Sequence, residues 1–462
     1  MCMSMKNLSL KNIANVCDGK LFCSDELAAD TEVTSIVSDS RKIEKGGLFV
    51  AIKGNVVDGH DYIESAYEQG VLAVMSQKEL STDKPYILIE DPYIAVKKIA
   101  KFYRENLDIK VVGVTGSVGK TSTKEMIYSV LNEKYNTLKT EGNFNNELGL
   151  PLTVFRIREE HEIAVLEMGI SDFGEMTRLT EIARPDVAVI TNVGYCHLEN
   201  LGTRDGVLKA KTEIFNSLAK DGKIILNGDD DKLATVSEYN GIKPVFFHIS
   251  GNSGASDNVY ADNIKPDGVK GVYASLHYND SVIDVKINIP GIHMVYNALA
   301  ALCVGKAFGL SDDEIKRGIE KVAPLEGRNN IVEKDNVILI NGCYNANPMS
   351  MKASIDVLSY ADSRKVAILG DMFELGENEK EMHEAIGKYL AETDVDVIVL
   401  CGKLMNNAYT YLLENASDKK LYYFDRLKEL LTELDRILQG DDTVLIKASH
   451  GMEFSKIIQY IR

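Results

Sequence analysis

The run Val114-Thr115-Gly116-Ser117-Val118-Gly119-Lys120-Thr121-Ser122 lies between an apolar, strand-like stretch (Lys110 to Val114) and a segment with helical amphipathic spacing. Glycines at such a junction allow a tight turn. Backbone N–H groups and a helix N-terminus then face an anion, a lysine covers the β- and γ-phosphates and a hydroxyl reaches Mg²⁺. On this reading Gly116, Ser117, Val118, Gly119, Lys120, Thr121 and Ser122 hold ATP, with Lys120 on the β/γ-phosphates and Thr121 on Mg²⁺. Val114 stands where the full Walker form has its first glycine, so Gly119-Lys120-Thr121 carries the weight. The bland alternative is a glycine-rich turn without a ligand.

Several other segments are too polar for element interiors. Thr140 to Pro151 offers the amides of Asn143, Asn145 and Asn146, suited to positioning a phosphate and an incoming group. Glu167 ends an apolar run; a carboxylate there is either a metal ligand or the N-cap of the next helix. His197, in Asn192 to Glu199, has no apolar helical register to bury it, which favours ligand or phosphate contact over a structural histidine. Ser38-Asp39-Ser40-Arg41 and Gly59-His60-Asp61 fit either phosphate and sugar contacts or ordinary turn chemistry.

Positioning these groups requires sheets. Residues Leu8 to about Glu105 show short strands (Gly47 to Ile52, Ala73 to Met75, Tyr86 to Ile89) and helices (Tyr62 to Gln69, Ile94 to Arg104), a small α/β unit. In the second block, strands at Lys110 to Val114, Ile163 to Glu167, Val187 to Thr191 and Lys223 to Leu226 alternate with helical patterns. That alternation predicts a mainly parallel sheet with ligands beyond its carboxyl ends, where Glu167, Asn192 and His197 fall. Tyr273 to Ile289 reads as an antiparallel excursion at the edge, and Gly291 to Phe308 as an alanine-rich helix. From Pro324, strands at Val337 to Ile340, Lys365 to Leu369, Val395 to Leu400 and Thr443 to Ile446 predict a second doubly wound unit. Three α/β domains are therefore expected, at residues 1–107, 108–323 and 324–462.

Composition supports packed domains and narrows the partners. With 462 residues, 45% hydrophobic, the chain exceeds what one core organises. Its net charge of -17 argues against nonspecific nucleic-acid or anionic-membrane binding. Seven scattered cysteines without a CxxC pair read as reduced thiols. No signal-peptide core and no apolar span of about 18 residues occurs, so a cytoplasmic protein without stable membrane insertion is expected.

The motifs and their order resemble the Mur ligase family over essentially the whole chain, and within it the branch that adds D-alanyl-D-alanine. The resemblance implies a three-domain α/β architecture, with an N-terminal UDP-sugar domain, a central P-loop mononucleotide-binding sheet and a C-terminal Rossmann-like domain that brings the amino substrate. By that resemblance Ser40 and Arg41 lie in the UDP-sugar region, and Asn143, Asn145 and Asn146 in a substrate loop. Glu167 and His197 match magnesium-site residues, His197 also being a weak candidate for catalytic base. Lys211, in Ala210-Lys211-Thr212-Glu213, matches a lysine the family carries carbamylated, a change that turns an ammonium into a carboxylate-like anion able to help hold Mg²⁺. Gly291-Ile292-His293 with Asn297 resembles the adenine-side motif, and Arg328 a nucleotide-contacting arginine. Tyr344, Asn345 and Asn347 of Tyr344-Asn345-Ala346-Asn347-Pro348, with Leu369-Gly370-Asp371-Met372-Phe373-Glu374-Leu375-Gly376, mark the dipeptide-adding branch, and Lys447 to Met452 matches the last motif in outline.

The chain departs from the family at three places. Asn341-Gly342 replace an aspartate pair whose second acid contacts the ATP ribose, Met294 replaces an asparagine and His450 an arginine. The implied reaction is amide formation through an acyl phosphate, using ATP, Mg²⁺, UDP-N-acetylmuramoyl-tripeptide and D-alanyl-D-alanine in peptidoglycan precursor synthesis. A monomer is expected, because one chain carries every required part. Two alternatives stay open at this stage: a Mur-like ligase with another carboxylate or amine, and a nucleotide-binding regulatory protein without ligase turnover.

Overall fold

A computed structural model describes residues 4–54, 56–249, 259–334 and 336–461. Three sheets follow one another along the chain. The first contains β1 (Lys20–Phe22), β2 (Ile36–Val37), β3 (Leu48–Val50), β4 (Ala73–Ser76) and β5 (Tyr86–Leu88), in the order β1-β5-β4-β3-β2. Only β1 runs antiparallel to its neighbour.

The central sheet has nine strands: β6 (Lys110–Thr115), β7 (Thr137–Lys139), β8 (Ile163–Glu167), β9 (Val187–Ile190), β10 (Lys223–Asn227), β11 (Val245–Ile249), β12 (Val259–Pro266), β13 (Val272–Tyr278) and β14 (Ser281–Ile287). Their order is β14-β13-β12-β11-β10-β9-β6-β8-β7. It is parallel from β7 to β12 and antiparallel only through β12, β13 and β14, as the alternation from Tyr273 predicts. The first strand, β6, lies between β9 and β8. Chain connections diverge to either side of it, which opens a crevice at its carboxyl end.

The third sheet comprises β15 (Asn330–Lys334), β16 (Val337–Asn341), β17 (Lys365–Gly370), β18 (Val397–Cys401), β19 (Lys420–Phe424) and β20 (Thr443–Lys447), in the order β15-β16-β20-β17-β18-β19. Only β15 is antiparallel. The result is the three-domain α/β architecture expected above, with a parallel nucleotide-type sheet at its centre.

One helix ties the first sheet to the second. Asp91 caps Pro92–Glu105 by accepting from the N–H groups of Tyr93 (2.7 Å) and Ile94 (3.1 Å), and proline at the first turn has no N–H to leave unpaired. The helix buries Ala95, Val96, Ile99, Ala100 and Tyr103, on one side against the first sheet and on the other against helices Gly149–Val154 and Glu175–Ala183. At its end Arg104, buried, donates to the carbonyls of Leu107, Ile109 and Ala183. The apolar cores of the first two domains are continuous through this helix. The third domain instead has its own pair of cores, one on each face of its sheet.

Among the described residues no helix is long and apolar enough to cross a membrane. The described cysteines are all free thiols.

Candidate active site

The turn between β6 and helix Lys120–Leu131 is built as the glycine spacing predicts. Gly116 has φ +153 and Gly119 has φ +82, backbone that a side chain would strain. A Cβ on Gly116 would fall 1.9 Å from the Thr191 hydroxyl, so the turn requires glycine there. The segment after β9 braces it. Val118 N–H donates to Asn192 Oδ1 (2.8 Å), Asn192 Nδ2 donates to Val118 O (2.9 Å), and Gly194 N–H donates to Ser117 Oγ (2.8 Å). Lys120 Nζ donates to Gly116 O at 2.8 Å, folding the ammonium over the loop.

Two strand ends beside the loop supply the remaining groups. Glu167 closes β8, with its side chain 2% exposed. Oε1 accepts from Asn145 Nδ2 at 2.7 Å, whereas Oε2 is buried without a hydrogen-bond partner. The N-cap alternative is excluded, because the next helix begins after Gly174. Behind the carboxylate lies Lys124, also buried, whose Nζ is 2.7 Å from Thr140 O, 3.0 Å from Glu125 and 3.9 Å from Glu167 Oε2. His197 follows β9 in a left-handed conformation (φ 50°) at the start of the short helix Leu198–Leu201. Burial and the cations Lys120 and Lys211 lower its pKa, with Glu374 opposing.

Lys211 is 1% exposed on helix Arg204–Thr212, and burial, with Lys120 nearby, brings its pKa down to about 8. It stands behind the wall of the cleft rather than in it.

These groups open into one cleft of about 1050 Å³. Its walls include Ser117 to Thr123, Asn145, Asn146, Glu167, His197, His293, Asn297, Arg328, Tyr344, Asn345, Asn347 and Lys447, so the central and third domains both contribute. Arg328 stacks 4.1 Å from the Tyr344 ring centroid. Asn347 caps helix Pro348–Ser359 through Ser350 N–H, and Asn146 accepts from Gly149 N–H at the start of helix Gly149–Val154. Asn297 is engaged at both ends: Oδ1 accepts from Thr123 Oγ1 (2.9 Å) and Nδ2 donates to Met294 Sδ (3.2 Å). His293 is pushed down to about 4 by burial and by repulsion from Lys447.

Not every expected residue is in this cleft. Asn143 is exposed at the tip of its loop and is not part of the wall. Ser40 and Arg41 lie outside it, where Arg41 pairs with Asp39 at 2.8 Å. Lys42 lies over the Phe144 ring at 5.4 Å, which brings that turn beside the asparagine loop.

The departures from the family pattern are also placed. Gly342 presents its carbonyl, not a side chain, to Lys447 Nζ (3.4 Å), and Asn345 O accepts from the same ammonium at 3.0 Å. Burial brings Lys447 down to about 8. A Cβ at Gly342 would lie 3.1 Å from Asn329 Oδ1. Met294 is the buried sulfur partner of Asn297, and His450 lies 6.3 Å from Tyr344, ring to ring.

Sequence reasoning did not single out Lys124, nor the wall formed by Phe247, Asp229 and Tyr296, where Asp229 accepts from Tyr296 OH at 3.0 Å. A signal for the latter existed: the acidic run Asp229-Asp230-Asp231 directly follows the carboxyl end of β10.

The residues fit magnesium and a nucleotide triphosphate. Helix-start N–H groups and Lys120 suit phosphate, and Glu167 Oε2 is a buried anionic oxygen that accepts no hydrogen bond and has only Lys124, 3.9 Å away, as counter-charge. Among the described residues no cluster of three or more His, Cys, Asp or Glu side chains converges as a metal cage.

Comparison with known proteins places this architecture. Residues 32–111 match the Mur ligase family catalytic domain, 114–305 the Mur ligase middle domain and 327–450 the Mur ligase glutamate ligase domain. The chain belongs to the Mur ligase family. Within that family it is similar to the UDP-N-acetylmuramoyl-tripeptide–D-alanyl-D-alanine ligase of Bacillus subtilis, 35% identical over 98% of this chain and 97% of that one. It is also 32% identical to the Escherichia coli ligase of the same name, over 99% of each chain. A crystal structure of MurF from Acinetobacter baumannii superimposes with TM-score 0.88 at 31% identity over 99% of both chains. The MurF ligase of Thermotoga maritima in complex with ADP gives 0.79 at 32% identity, over 92% of this chain and 96% of that one.

Proposed function

We propose that the chain is an ATP-dependent ligase that joins the amine of D-alanyl-D-alanine to the terminal carboxylate of UDP-N-acetylmuramoyl-tripeptide, a step of peptidoglycan precursor synthesis. The observation that carries this reading is the single cleft in which the phosphate loop and the Glu167 carboxylate, one oxygen of which accepts no hydrogen bond, face Tyr344, Asn345 and Asn347 of the third domain. A phosphoryl donor held by the central sheet and an amine brought by the third domain meet there. The relatives of this chain that carry the ligase name span its whole length, which supports the same substrates.

A carboxylate in water is a poor electrophile. Phosphorylation makes it an acyl phosphate, and attack by the free amine of the dipeptide then releases phosphate. Lys120 and the loop N–H groups offset charge on the transferred phosphoryl oxygens, and positioning supplies most of the remainder. Mg²⁺, when bound, adds Lewis-acid charge stabilisation at the phosphates. Thr121, Glu167 and His197 would hold it, joined by Lys211 once its amine has taken up CO₂ and lost a proton to become a carbamate. His293, Asn297 and Arg328 line the nucleotide side. Ser40 and Arg41, on the first domain, are assigned to the UDP-sugar, with Asn143, Asn145 and Asn146 between that site and the reaction centre. Domain boundaries near 107 and 323 and a monomeric state belong to the same proposal. Work on ATP and a nucleotide-linked precursor agrees with a cytoplasmic location.

Phosphate release with ATP, Mg²⁺ and UDP-N-acetylmuramoyl-tripeptide, with and without D-alanyl-D-alanine, tests this directly. The expected result is dipeptide-dependent release together with the mass of the UDP-muramoyl-pentapeptide. Nucleotide binding with slow hydrolysis indifferent to both partners would overturn it.

A further inference from the structure

The segment that braces the phosphate loop is itself held by side chains from further along the chain. Val193, between Asn192 and Gly194, is fully buried and lies beyond the end of β9, so its backbone finds partners outside the strand ladder. Its N–H donates to Asp230 Oδ2 at 2.8 Å, and its carbonyl accepts from Arg204 Nε at 2.9 Å. Arg204 in turn directs its two terminal nitrogens onto the two oxygens of Asp231, at 3.0 and 2.5 Å. We propose that Arg204 is a positioning residue for nucleotide binding: it clamps Val193 between the acidic loop after β10 and the helix Arg204–Thr212, and so holds the phosphate loop in its anion-binding shape. The inference rests on the reading of that loop as the ATP site given above.

Hydrogen bonds connect the clamp to the phosphate loop on both sides of Val193. On one side, Asn192 O accepts from Ser117 N–H at 3.1 Å, and the Asn192 side chain pairs with both backbone groups of Val118. On the other, Gly194 N–H donates to Ser117 Oγ at 2.8 Å. A shift at Val193 therefore moves the contacts to Ser117 and Val118 together. Asp230 is fixed by its own loop, since Oδ1 accepts from the N–H groups of Lys232 and Leu233, both at 3.0 Å. Arg204 is what holds the carbonyl side. A buried carbonyl that loses its donor keeps its desolvation cost, which favours turning the segment towards water and away from the loop it braces.

The planar fork matters as well as the charge. A guanidinium can place one nitrogen on a carbonyl and two on a carboxylate at once, and an ammonium cannot span the same set. The neighbouring pair shows the contrast. Lys232 Nζ donates to Asp205 Oδ1 at 2.6 Å, joining the same loop to the same helix, but the hydrogen bonds of Val193 come from Asp230 and Arg204. With Asp205 75% exposed, such a pair contributes little by itself.

The test measures binding of ATP and of inorganic tripolyphosphate, each with Mg²⁺, by calorimetry on the full chain below the melting temperature of every variant. Arg204→Ala is expected to weaken both ligands about 10-fold, through loss of a charge-assisted hydrogen bond to a buried carbonyl. Arg204→Lys keeps the charge and one donor without the fork, and is expected to weaken both about 3-fold. Lys232→Ala removes the neighbouring ion pair and is expected to bind both as the wild type does. A purely stabilising role for Arg204 would lower the melting temperature of its variants and leave affinity below the melt at the wild-type value, and that result would overturn the proposal. So would an equal loss in Lys232→Ala, or a loss for ATP with tripolyphosphate unaffected, which would place the effect away from the phosphate loop. Should Arg204→Ala fail to fold, the lysine variant decides by the same comparison. Calorimetry needs no turnover, so absence of dipeptide-dependent phosphate release in the wild type counts against the ligase reading and leaves this test standing.

Discussion

At Lys211 a buried ammonium has the cation Lys120 near it, and desolvation first of all brings it to about 8. At pH 7.5 roughly a quarter of such a side chain is free amine, against about 0.1% at the ordinary lysine value. Free amine is the form that takes up CO₂. Turnover is therefore expected to fall when CO₂ is stripped from the buffer and to recover with bicarbonate, and Lys211→Ala is expected to lose about 100-fold and to ignore bicarbonate. Equal phosphate release in stripped and supplemented buffer would refute the carbamate. His293 gives a prediction about stability. Its pKa is lowered from 6.5 to about 4 by burial and Lys447, so the unfolded chain binds the proton first as pH falls. Stability present above 6.5 is then lost progressively towards pH 4, by at most about 3 kcal/mol. His293→Gln should flatten the slope of melting temperature against pH across that window; an unchanged slope would assign the acid sensitivity to other groups. Residue identities such as Lys120, Glu167 and His197 were readable because they follow strand ends in short polar runs. Lys124 and Glu374 were not, because their partners are brought together only by folding: Lys124 meets Glu167 from the neighbouring helix, and Glu374 meets His197 from another domain.

Elements were legible where one physical rule dominates. Ile163–Glu167 was read to the residue, since an apolar run buried on both faces ends at a charged residue. The edge strands β15 and β19 escape the pattern because charged and half-buried side chains blur the period, and β7, Thr137-Leu138-Lys139, holds a single apolar residue. The turn after β6 carries the clearest element-scale prediction. Gly116→Ala must place a methyl 1.9 Å from the Thr191 hydroxyl, with backbone at φ +153. The expected cost is about 1–3 kcal/mol in stability, with loss of ATP binding as the Ser117 to Val118 N–H groups shift. Gly241→Ala is the control, with φ +82 and no atom within 4 Å of the added carbon, so it carries backbone strain alone. Calorimetric ATP binding should be intact in that control and absent in Gly116→Ala. Equal binding in the two would mean that the turn tolerates a side chain.

At the scale of the whole molecule the three domains are unequally joined. The first and second share one apolar core, through which the helix Pro92–Glu105 and the buried Arg104 run, whereas the buried cores of the third domain draw on its own residues. What the third domain offers the central one is smaller, and includes the Glu374–His197 pair, Met349, whose methyl would be 3.1 Å from a Cβ on Gly194, Met382, which packs against the shared core, and Val269 of the central domain against the third-domain core. The connecting segment includes exposed Lys321, Ala323, Pro324 and Glu326. Motion should therefore separate the third domain from a rigid pair formed by the other two, since a few scattered contacts open at far lower cost than a continuous core. Brief trypsin or Glu-C digestion is expected to cut first at Lys321 or Glu326, giving fragments that separate on a sizing column. ATP with Mg²⁺ and the dipeptide should slow that cut by holding the cleft closed. First cleavage near residues 105–110 with release of the first domain would contradict this order, because it would require the shared core to open before the third domain leaves the cleft.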